Sequence, residues 1–149
     1  MTTWDEVLEA VTTTLGGDRS GGGERLRAAW DATAVEDHAR RCVLAHYLAD
    51  LEDDLDEEVA WDRRALDEYA HVADGDLAPV GIPSAAGMAA SLHLNLGDGL
   101  LRQGRLDDAR RQLAAGLAAT AALPDDGYGE MVRAGLERLR ARVAAEATP

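Results

Sequence analysis

Helical spacing of apolar residues is the feature that most limits how this 149-residue chain can fold. Between glycine or proline breaks, apolar side chains recur three or four positions apart, and no segment alternates with the period of two of a half-buried strand. The sequence therefore predicts an all-α protein, with at least about two-thirds of its residues in helices. The length suits one domain with a sizeable core, so we expect residues 1–149 to form a single domain.

The first helix is predicted from a capping box, Thr3-Trp4-Asp5-Glu6, in which a hydroxyl and a carboxylate satisfy free backbone amides. Its apolar face consists of Trp4, Val7, Leu8, Val11 and Leu15. Residues 16–23 contain five glycines, a composition that gains little by ordering. We therefore expect a flexible linker there, within the domain, followed by a helix over about residues 24–33.

Two longer helices are predicted next, over about residues 37–53 and 56–73. The main apolar face of the former is Val43, Leu44, Tyr47, Leu48, Leu51 and Leu55. Its other side carries Cys42, His46, Ala49, Asp50 and Asp53. The latter helix starts with acidic residues, which suit a helix N-terminus, and its apolar stripe is Val59, Leu66, Tyr69 and Ala73. Residues 74–83 hold two glycines and two prolines, so we expect a loop.

Three helices are predicted in the remainder of the chain, over about residues 84–103, 106–123 and 128–145. Ser84 can cap the first of them, and Gly104 can end it. A turn at residues 124–127 closes the second. One side of the last helix is predicted to carry Tyr128, Val132, Gly135, Leu136, Leu139 and Val143.

The formal net charge is −13, so the electrostatic field of the chain repels phosphate backbones and anionic lipid headgroups. We therefore expect no nucleic-acid or membrane partner, and instead a basic or neutral protein or peptide. No apolar stretch reaches the ~20 residues of a membrane-spanning helix, and the first residues lack the basic run of a signal peptide. Cys42 is the only cysteine, which excludes an intrachain disulfide and favours a reducing, cytoplasmic location.

One predicted helix pair has a residue pattern that is more specific than the helical spacing of apolar residues. His93-x2-Leu96-Gly97-x2-Leu100 is followed by Ala109-x3-Leu113, with a glycine turn between them. Residues 90–123 therefore resemble the tetratricopeptide repeat, a helix-turn-helix unit of about 34 residues in which small side chains let two helices approach closely. His93, Leu100 and Leu113 depart from the aromatic residues that the repeat prefers.

The resemblance implies an array of about two repeats. A weaker upstream copy is formed by Leu44, Tyr47, Leu48, Leu51 and Ala60, although Arg64 occupies a position that should be apolar. Such arrays usually need about three units to bury a continuous core, so the N-terminal and C-terminal helices would act as caps. The chain also resembles small actinobacterial repeat proteins without an assigned role, on His46-Tyr47-Leu48-Ala49-Asp50 and Ser91-Leu92-His93-Leu94-Asn95-Leu96.

The repeat resemblance implies a binding groove along the first helix of the pair, lined here by Ser91, Asn95, Asp98 and Arg102. Asn95 matches a position at which the family often holds the backbone of a ligand peptide, because a carboxamide both donates and accepts hydrogen bonds. The alternative is an exposed polar face on which Asp98 and Arg102 form a helical ion pair of about 0.3–0.5 kcal/mol.

His46 and Asp50 are a second candidate pair, because residues four apart share a helix face. A carboxylate beside an imidazole fixes its orientation and suits recognition, metal binding or general-base chemistry. The alternative is a local pair without a function. We predict no metal site, because a defined site needs three or four ligands and the others are not visible.

Other titratable residues are predicted to be structural. Glu68-x-x-His71 lacks the second such pair of a di-iron bundle, and His38 and His93 are expected to be a surface and a core histidine. Residues 50–58 hold seven acidic residues in nine positions, which suit a solvated turn and a helix N-terminus or, alternatively, an arginine- or lysine-rich partner.

Three functions remain open. The first is a non-catalytic binding module without a cofactor, whose acidic, polar groove holds a peptide or a basic protein through Ser91, Asn95, Asp98, Arg102, His46 and Asp50. The second is a helical pocket for a small molecule or metal, with polar groups from His46, Asp50 and His93. The third is a structural protein that forms a homodimer through its last helix. No catalytic constellation is present in the sequence pattern, so we do not predict an enzyme.

Overall fold

A computed structural model describes residues 2–147 of the chain. This part of the chain is all-helical: 77% of the protein is helical and no strand is present among these residues, so the all-α prediction is confirmed. No helix among them has the length and apolar character needed to cross a membrane. The α-helices are α1 (Trp4–Leu15), α2 (Arg19–Ala32), α3 (His38–Leu51), α4 (Leu55–Tyr69), α5 (Ala89–Arg102), α6 (Leu106–Ala118) and α7 (Gly127–Glu146).

The chain divides into two compact units, residues 1–83 and residues 84–149. The first contains α1 to α4, and the second contains α5 to α7. The single domain expected over residues 1–149 stays a prediction.

Helix α1 begins with the predicted capping box. The Thr3 hydroxyl accepts a hydrogen bond from the Glu6 amide at 3.3 Å, and the Thr3 amide donates to the Glu6 carboxylate at 2.9 Å. Val7 and Val11 are buried as predicted. Leu15 is 71% exposed, so its predicted place on the apolar face is wrong. It lies in the last turn of the helix, beside the chain reversal that leads into α2.

The glycine-rich segment is not a flexible linker, contrary to the prediction. Helix α2 begins at Arg19, and its N-cap Asp18 accepts a hydrogen bond from the amide of Gly21 at 2.9 Å. Gly22 is buried in that helix against α1, where an added Cβ would lie 2.1 Å from the hydroxyl oxygen of Thr14. Glycine is needed here for a close approach of two helices, a requirement that local composition does not reveal.

Helix α3 packs against both α2 and α4, and is therefore buried on two sides. Val43, Leu44 and Leu48 are buried as predicted, but Cys42 and Ala49 are also at most 1% exposed. The side opposite the main apolar face, where these two residues were expected, is therefore also buried in part, because α3 has neighbours on both faces.

Helix α4 ends at Tyr69, before the predicted end at Ala73, which is exposed. Its N-cap Asp54 accepts hydrogen bonds from the next turn, the amides of Asp56 and Glu57. The predicted loop over residues 74–83 contains a short 3-10 helix and is held to the first unit by Leu77, which is fully buried.

In the second unit, α5 and α6 form a helical hairpin with small residues at the contact. A Cβ added at Gly97 would lie 3.3 Å from the Cβ of Gln112 and 3.7 Å from the carbonyl oxygen of Ala109, a residue with no exposed surface. Gly116 similarly faces His93 and Ala90 across the hairpin. The close contact expected at Gly97 and Ala109 is therefore present. Membership of the repeat family stays a prediction.

Helix boundaries in the second unit differ modestly from those predicted. A 3-10 turn, Ala85–Met88, precedes α5, so Ser84 does not cap that helix. Gly104 ends the hairpin's first helix with φ +79°, as predicted. Helix α6 stops at Ala118, and a second 3-10 turn leads towards α7. The sequence could not separate these short 3-10 turns from the helices they extend, because both share local hydrogen bonding.

Helix α7 packs against both helices of the hairpin, as a cap of that unit should. Asp126 is its N-cap and accepts a hydrogen bond from the Gly129 amide at 3.0 Å. Gly135 lies against Leu94 of α5, and the predicted apolar side is buried at Val132, Leu136, Leu139 and Val143. Tyr128, predicted on the same side, is 39% exposed.

Candidate binding sites

The net charge is carried by the first unit alone. Residues 1–83 contain 20 acidic residues and 7 arginines, whereas residues 84–149 contain 8 of each, and the chain has no lysine. The formal charge of −13 therefore belongs entirely to the first unit, and the second is neutral. Helix α5, which carries four of the predicted groove residues, lies in the neutral unit, and the acidic character of the predicted groove stays a prediction.

The predicted groove residues of α5 are only partly available to a ligand. Asp98 accepts a hydrogen bond from the Nε of Arg102 at 2.9 Å and a second from Arg142 of α7. Its carboxylate therefore ties α5 to α7 and is already neutralised by two guanidinium groups. Ser91 and Asn95 are half-buried on the same helix.

The pair formed by His46 and Asp50 lies on α3 in the first unit. His46 is half-buried with its ring edge against Tyr47, the ring centroids 5.2 Å apart, and Asp50 is exposed. Burial lowers the pKa of His46 below its ordinary 6.5, and the carboxylate of Asp50 opposes that shift. The predicted neighbour Cys42 is fully buried, where desolvation raises the pKa of its thiol to about 12.

His93 lies in the second unit and is half-buried rather than a fully enclosed core residue. Its Nδ1 makes a hydrogen bond of 2.8 Å with the side-chain oxygen of Gln112 on α6. His46 and Asp50 belong to the first unit, so the pocket that these residues and His93 were expected to share stays a prediction. Within residues 2–147, no group of three or more histidine, cysteine or carboxylate side chains is arranged to hold a metal ion.

A histidine pair that the sequence did not indicate lies in the first unit. The rings of His38 and His71 stack with centroids 4.5 Å apart and an interplanar angle of 29°. His38 was expected to be a surface residue, but it is half-buried, and its Nδ1 lies 2.7 Å from the Glu68 carboxylate. Because an ionised carboxylate can only accept, Nδ1 carries the hydrogen in this contact.

The histidine pair lines an open pocket of about 240 Å³, which we call the histidine pocket. It lies between the start of α1, the start of α3 and the segment that follows α4. Its polar and aromatic lining consists of Trp4, Glu36, Asp37, His38, Arg40, His71 and Asp76. The pocket therefore combines aromatic rings with both signs of charge.

A layer of polar and aromatic contacts supports the pocket from behind. Glu68 also accepts a hydrogen bond from the Nε of Arg41 at 3.0 Å, and Arg41 donates to the Thr33 hydroxyl at 2.9 Å. The Arg41 guanidinium lies 3.9 Å from the centroid of the Trp30 ring. These contacts fix the carboxylate that orients His38, so the ring position is set by the packing of α2, α3 and α4.

The third candidate site is the acidic turn between α3 and α4, residues 50–58. Two of its carboxylates have structural partners: Asp54 caps α4, and Glu52 accepts a hydrogen bond from the indole of Trp61 at 3.1 Å. The other acidic residues of the turn that are exposed are Asp50, Asp53, Asp56 and Glu57. The structural interpretation therefore holds for Asp54 and Glu52, and docking of a basic partner by this segment stays a prediction.

Sequence patterns gave only a weak signal for the histidine pocket. Glu68-x-x-His71 was visible as a helical pair, but His38 lies 30 residues before Glu68 and meets it only through the packing of α3 against α4. Such a contact depends on how two helices are aligned with each other, which a single sequence does not specify.

The chain was compared with models of known protein families, with curated proteins and with solved structures, and no match was found. The chain is thus described as an all-helical protein with two compact units, the first of them strongly acidic.

Proposed function

We propose that this chain is a non-catalytic helical binding module, and that the acidic turn of its first unit docks a basic protein or peptide. The observation that carries the proposal is the distribution of charge. The first unit holds 20 acidic residues against 7 arginines, and the second is balanced. Such a field accelerates the encounter with a basic partner and repels an acidic one.

The exposed carboxylates of the acidic turn supply the local contact surface. Asp54 and Glu52 hold the turn and α4 in place through the hydrogen bonds described above. The exposed members Asp50, Asp53, Asp56 and Glu57 are thereby presented on a fixed backbone. A preorganised row of acidic residues loses less conformational entropy on binding than a flexible acidic tail would.

The arrangement of the second unit supports a scaffolding role related to the tetratricopeptide repeat. Gly97 and Ala109 permit the close hairpin, and α7 packs on both of its helices, as a terminal cap would. The proposed contribution of Ser91 and Asn95 to binding is secondary, since the neighbouring Asp98 is already paired with Arg102 and Arg142. The proposal includes a cytoplasmic location, which the single buried thiol supports.

A charge-matched pair of variants tests the proposal. Asp50, Asp53, Asp56 and Glu57 are replaced by their amides in one variant. In the control, the same chemical change is made at Asp125, Glu130, Glu137 and Glu146 of the second unit, which are also exposed. Both variants lose the same formal charge, so only the position of the change differs.

The probe is a short fluorescent arginine-rich peptide, and the measurement is its anisotropy at several salt concentrations. We expect the turn variant to bind at least about tenfold more weakly than the control, a difference of about 1.4 kcal/mol. Equal weakening in both variants would mean that net charge alone attracts the peptide, and the proposed docking surface would be wrong. Binding that is insensitive to both variants would remove the proposal entirely.

A further inference from the structure

Three aspartate–glycine dipeptides occur in the chain, at residues 74–75, 98–99 and 126–127. An aspartate that precedes glycine can form a succinimide, because the glycine nitrogen can attack the carboxyl carbon and glycine has no Cβ to obstruct the attack. The dipeptide is the same in all three places, so the fold decides which pair can close the ring.

Helix α5 protects the pair formed by Asp98 and Gly99. Both residues lie inside this helix, and Gly99 is buried. The Gly99 amide is part of the helical hydrogen-bond ladder, and ring closure would break its bond. Asp98 is held further by the hydrogen bonds from Arg102 and Arg142 described above. This pair is therefore protected while α5 stays folded.

The start of α7 protects the pair formed by Asp126 and Gly127, although both residues are exposed. Asp126 is the N-cap, and its carboxylate accepts a hydrogen bond from the Gly129 amide at 3.0 Å. Its carbonyl oxygen accepts another from the Glu130 amide, also at 3.0 Å. Moving the carboxyl carbon onto the Gly127 nitrogen would remove the cap of α7, which stabilises the pair against reaction.

The pair formed by Asp74 and Gly75 has neither form of protection. Both residues are exposed and lie in a turn, outside the helices described above. The Gly75 amide makes no hydrogen bond to any group within residues 2–147, so no hydrogen bond has to break before its nitrogen attacks. A Cβ placed on Gly75 would meet nothing within 4 Å, so the surroundings leave space for the backbone to rearrange.

We propose that Asp74 and Gly75 form a site of spontaneous isomerisation in the folded protein. The Gly75 nitrogen attacks the carboxyl carbon of Asp74, and a new C–N bond replaces a C–O bond. The displaced oxygen leaves as water, with the protons of the carboxyl group and the amide. Water then opens the succinimide: attack at the side-chain carbonyl restores aspartate, and attack at the main-chain carbonyl gives isoaspartate, in which the chain continues through Cβ. Water is the only co-reactant, and nothing is oxidised or reduced.

Isomerisation lengthens the main chain inside a closed turn. The Asp76 amide donates to the Ala73 carbonyl oxygen at 3.1 Å, and the Ala73 amide donates to the Asp76 carboxylate at 2.9 Å. These hydrogen bonds span Asp74 and Gly75, so an additional methylene group must break or distort them. Leu77, which is fully buried, follows directly. We therefore expect the modified turn to hold Leu77 less firmly, which lowers the stability of the first unit.

The test keeps the folded full chain for several weeks at physiological temperature in neutral buffer. Digestion with a protease that cleaves before aspartate but not before isoaspartate, followed by mass spectrometry, locates each isomerised residue. We expect isoaspartate to accumulate at residue 74 at least about tenfold faster than at residues 98 and 126. The control is the same chain unfolded in guanidinium chloride, where all three pairs should react at similar rates. Equal rates in the folded chain, or no isoaspartate at residue 74, would overturn the proposal.

Two variants test the ring closure itself. Gly75→Ala should slow the reaction at residue 74 at least about tenfold, because the new methyl group obstructs the attacking nitrogen. Asp74→Asn should react faster and release ammonia, because ammonia leaves more readily than the oxygen of an ionised carboxylate. If Asp74→Asn stays unreacted in the folded chain, the backbone at residues 74–75 cannot close the ring, and the proposal is wrong.

The consequence for stability is measured on the same samples, and it does not depend on the proposed function of the acidic turn. The urea midpoint of the first unit, followed by tryptophan fluorescence, should fall as isoaspartate accumulates in the original chain. The midpoint of equally aged Gly75→Ala should stay constant. An unchanged midpoint in an isomerised chain would show that this turn does not hold Leu77, and that part of the proposal would be overturned.

Discussion

Gly22 shows how a single small residue can decide the packing of two helices. Its Cα hydrogen faces α1, where a methyl group would meet the hydroxyl oxygen of Thr14 at 2.1 Å and the Cα of Thr14 at 2.8 Å. The latter contact is with backbone, which cannot rotate away as a flexible side chain can. The helices would have to separate to admit any other residue.

We therefore expect Gly22→Ala to destabilise the protein by about 1–3 kcal/mol, as overpacking usually does. Alanine is a better helix former than glycine by about 1 kcal/mol, so helix propensity alone predicts that the substitution stabilises the protein. Urea unfolding followed by circular dichroism distinguishes the two. The control is Gly75→Ala, where an added Cβ would meet nothing within 4 Å. A stabilised Gly22→Ala protein would show that the contact with Thr14 is absent in solution.

His46 makes stability depend on pH in a defined direction. Burial lowers the pKa of the folded ring below the ordinary 6.5, and the unfolded ring regains that ordinary value. Below pH 6.5 the unfolded chain therefore binds a proton that the folded chain does not, and the free energy of unfolding falls until the folded pKa is reached. Above pH 6.5 both states are neutral at this ring, and no stability is lost.

Replacing His46 with glutamine should remove this part of the pH dependence. The measurement is the urea midpoint of the original chain and of His46→Gln between about pH 7.5 and about pH 5, which spans the ordinary titration of imidazole. We expect a steeper acid loss in the original chain. Parallel curves would contradict a lowered pKa of His46 in the folded chain.

At the scale of elements, the ends of helices follow local chemistry and were largely predictable. The Thr3–Glu6 capping box and the left-handed Gly104 are determined by residues within one turn of the chain. The close approach of α2 to α1 at Gly22 and the stacking of His38 on His71 depend on residues that are distant in sequence. The α5 face was identified correctly as polar, but its link to Arg142 of α7 again required the packing of two helices.

The α5–α6 hairpin gives a direct test of the predicted close contact. Ala109 is fully buried, and its carbonyl oxygen lies 3.7 Å from a Cβ placed on Gly97. Ala109→Leu should overpack this contact and cost about 1–3 kcal/mol. Ala114→Leu, at an exposed position of the same helix, is the matched control and should change stability by less than about 0.5 kcal/mol. Equal unfolding midpoints for the two variants would contradict the hairpin packing.

For the whole molecule, the uneven charge predicts an unusual response to salt. Repulsion among the 20 acidic side chains of the first unit opposes compact folding, and the 7 arginines of that unit offset only part of this repulsion. Salt also weakens surface ion pairs, but each exposed pair contributes only about 0–1 kcal/mol. The screening of repulsion should therefore dominate in the first unit, so that added salt raises its stability.

Tryptophan fluorescence isolates this effect, because Trp4, Trp30 and Trp61 all lie in the first unit and the second contains none. We expect the fluorescence-detected thermal midpoint to rise as sodium chloride increases from about 0.01 M to about 0.5 M, over which the Debye length shortens several-fold. The neutral second unit supplies the internal comparison through variants that each carry one new tryptophan there. A midpoint of the first unit that falls with salt would mean that its ion pairs outweigh its repulsion.

The single thiol, Cys42 in the second turn of α3, can report how often the packing around this helix opens. Cys42 is fully buried, and with the pKa of its thiol raised to about 12, almost no thiolate is present near neutral pH while α3 stays packed. A thiol reagent can therefore modify the protein only while the packing around Cys42 is open. The labelling rate then measures how often the structure opens at this one position. Hydrogen exchange gives the same kind of information for backbone amides. A bound partner that holds α3 and α4 together would lower the labelling rate, with the same reagent at the same concentration.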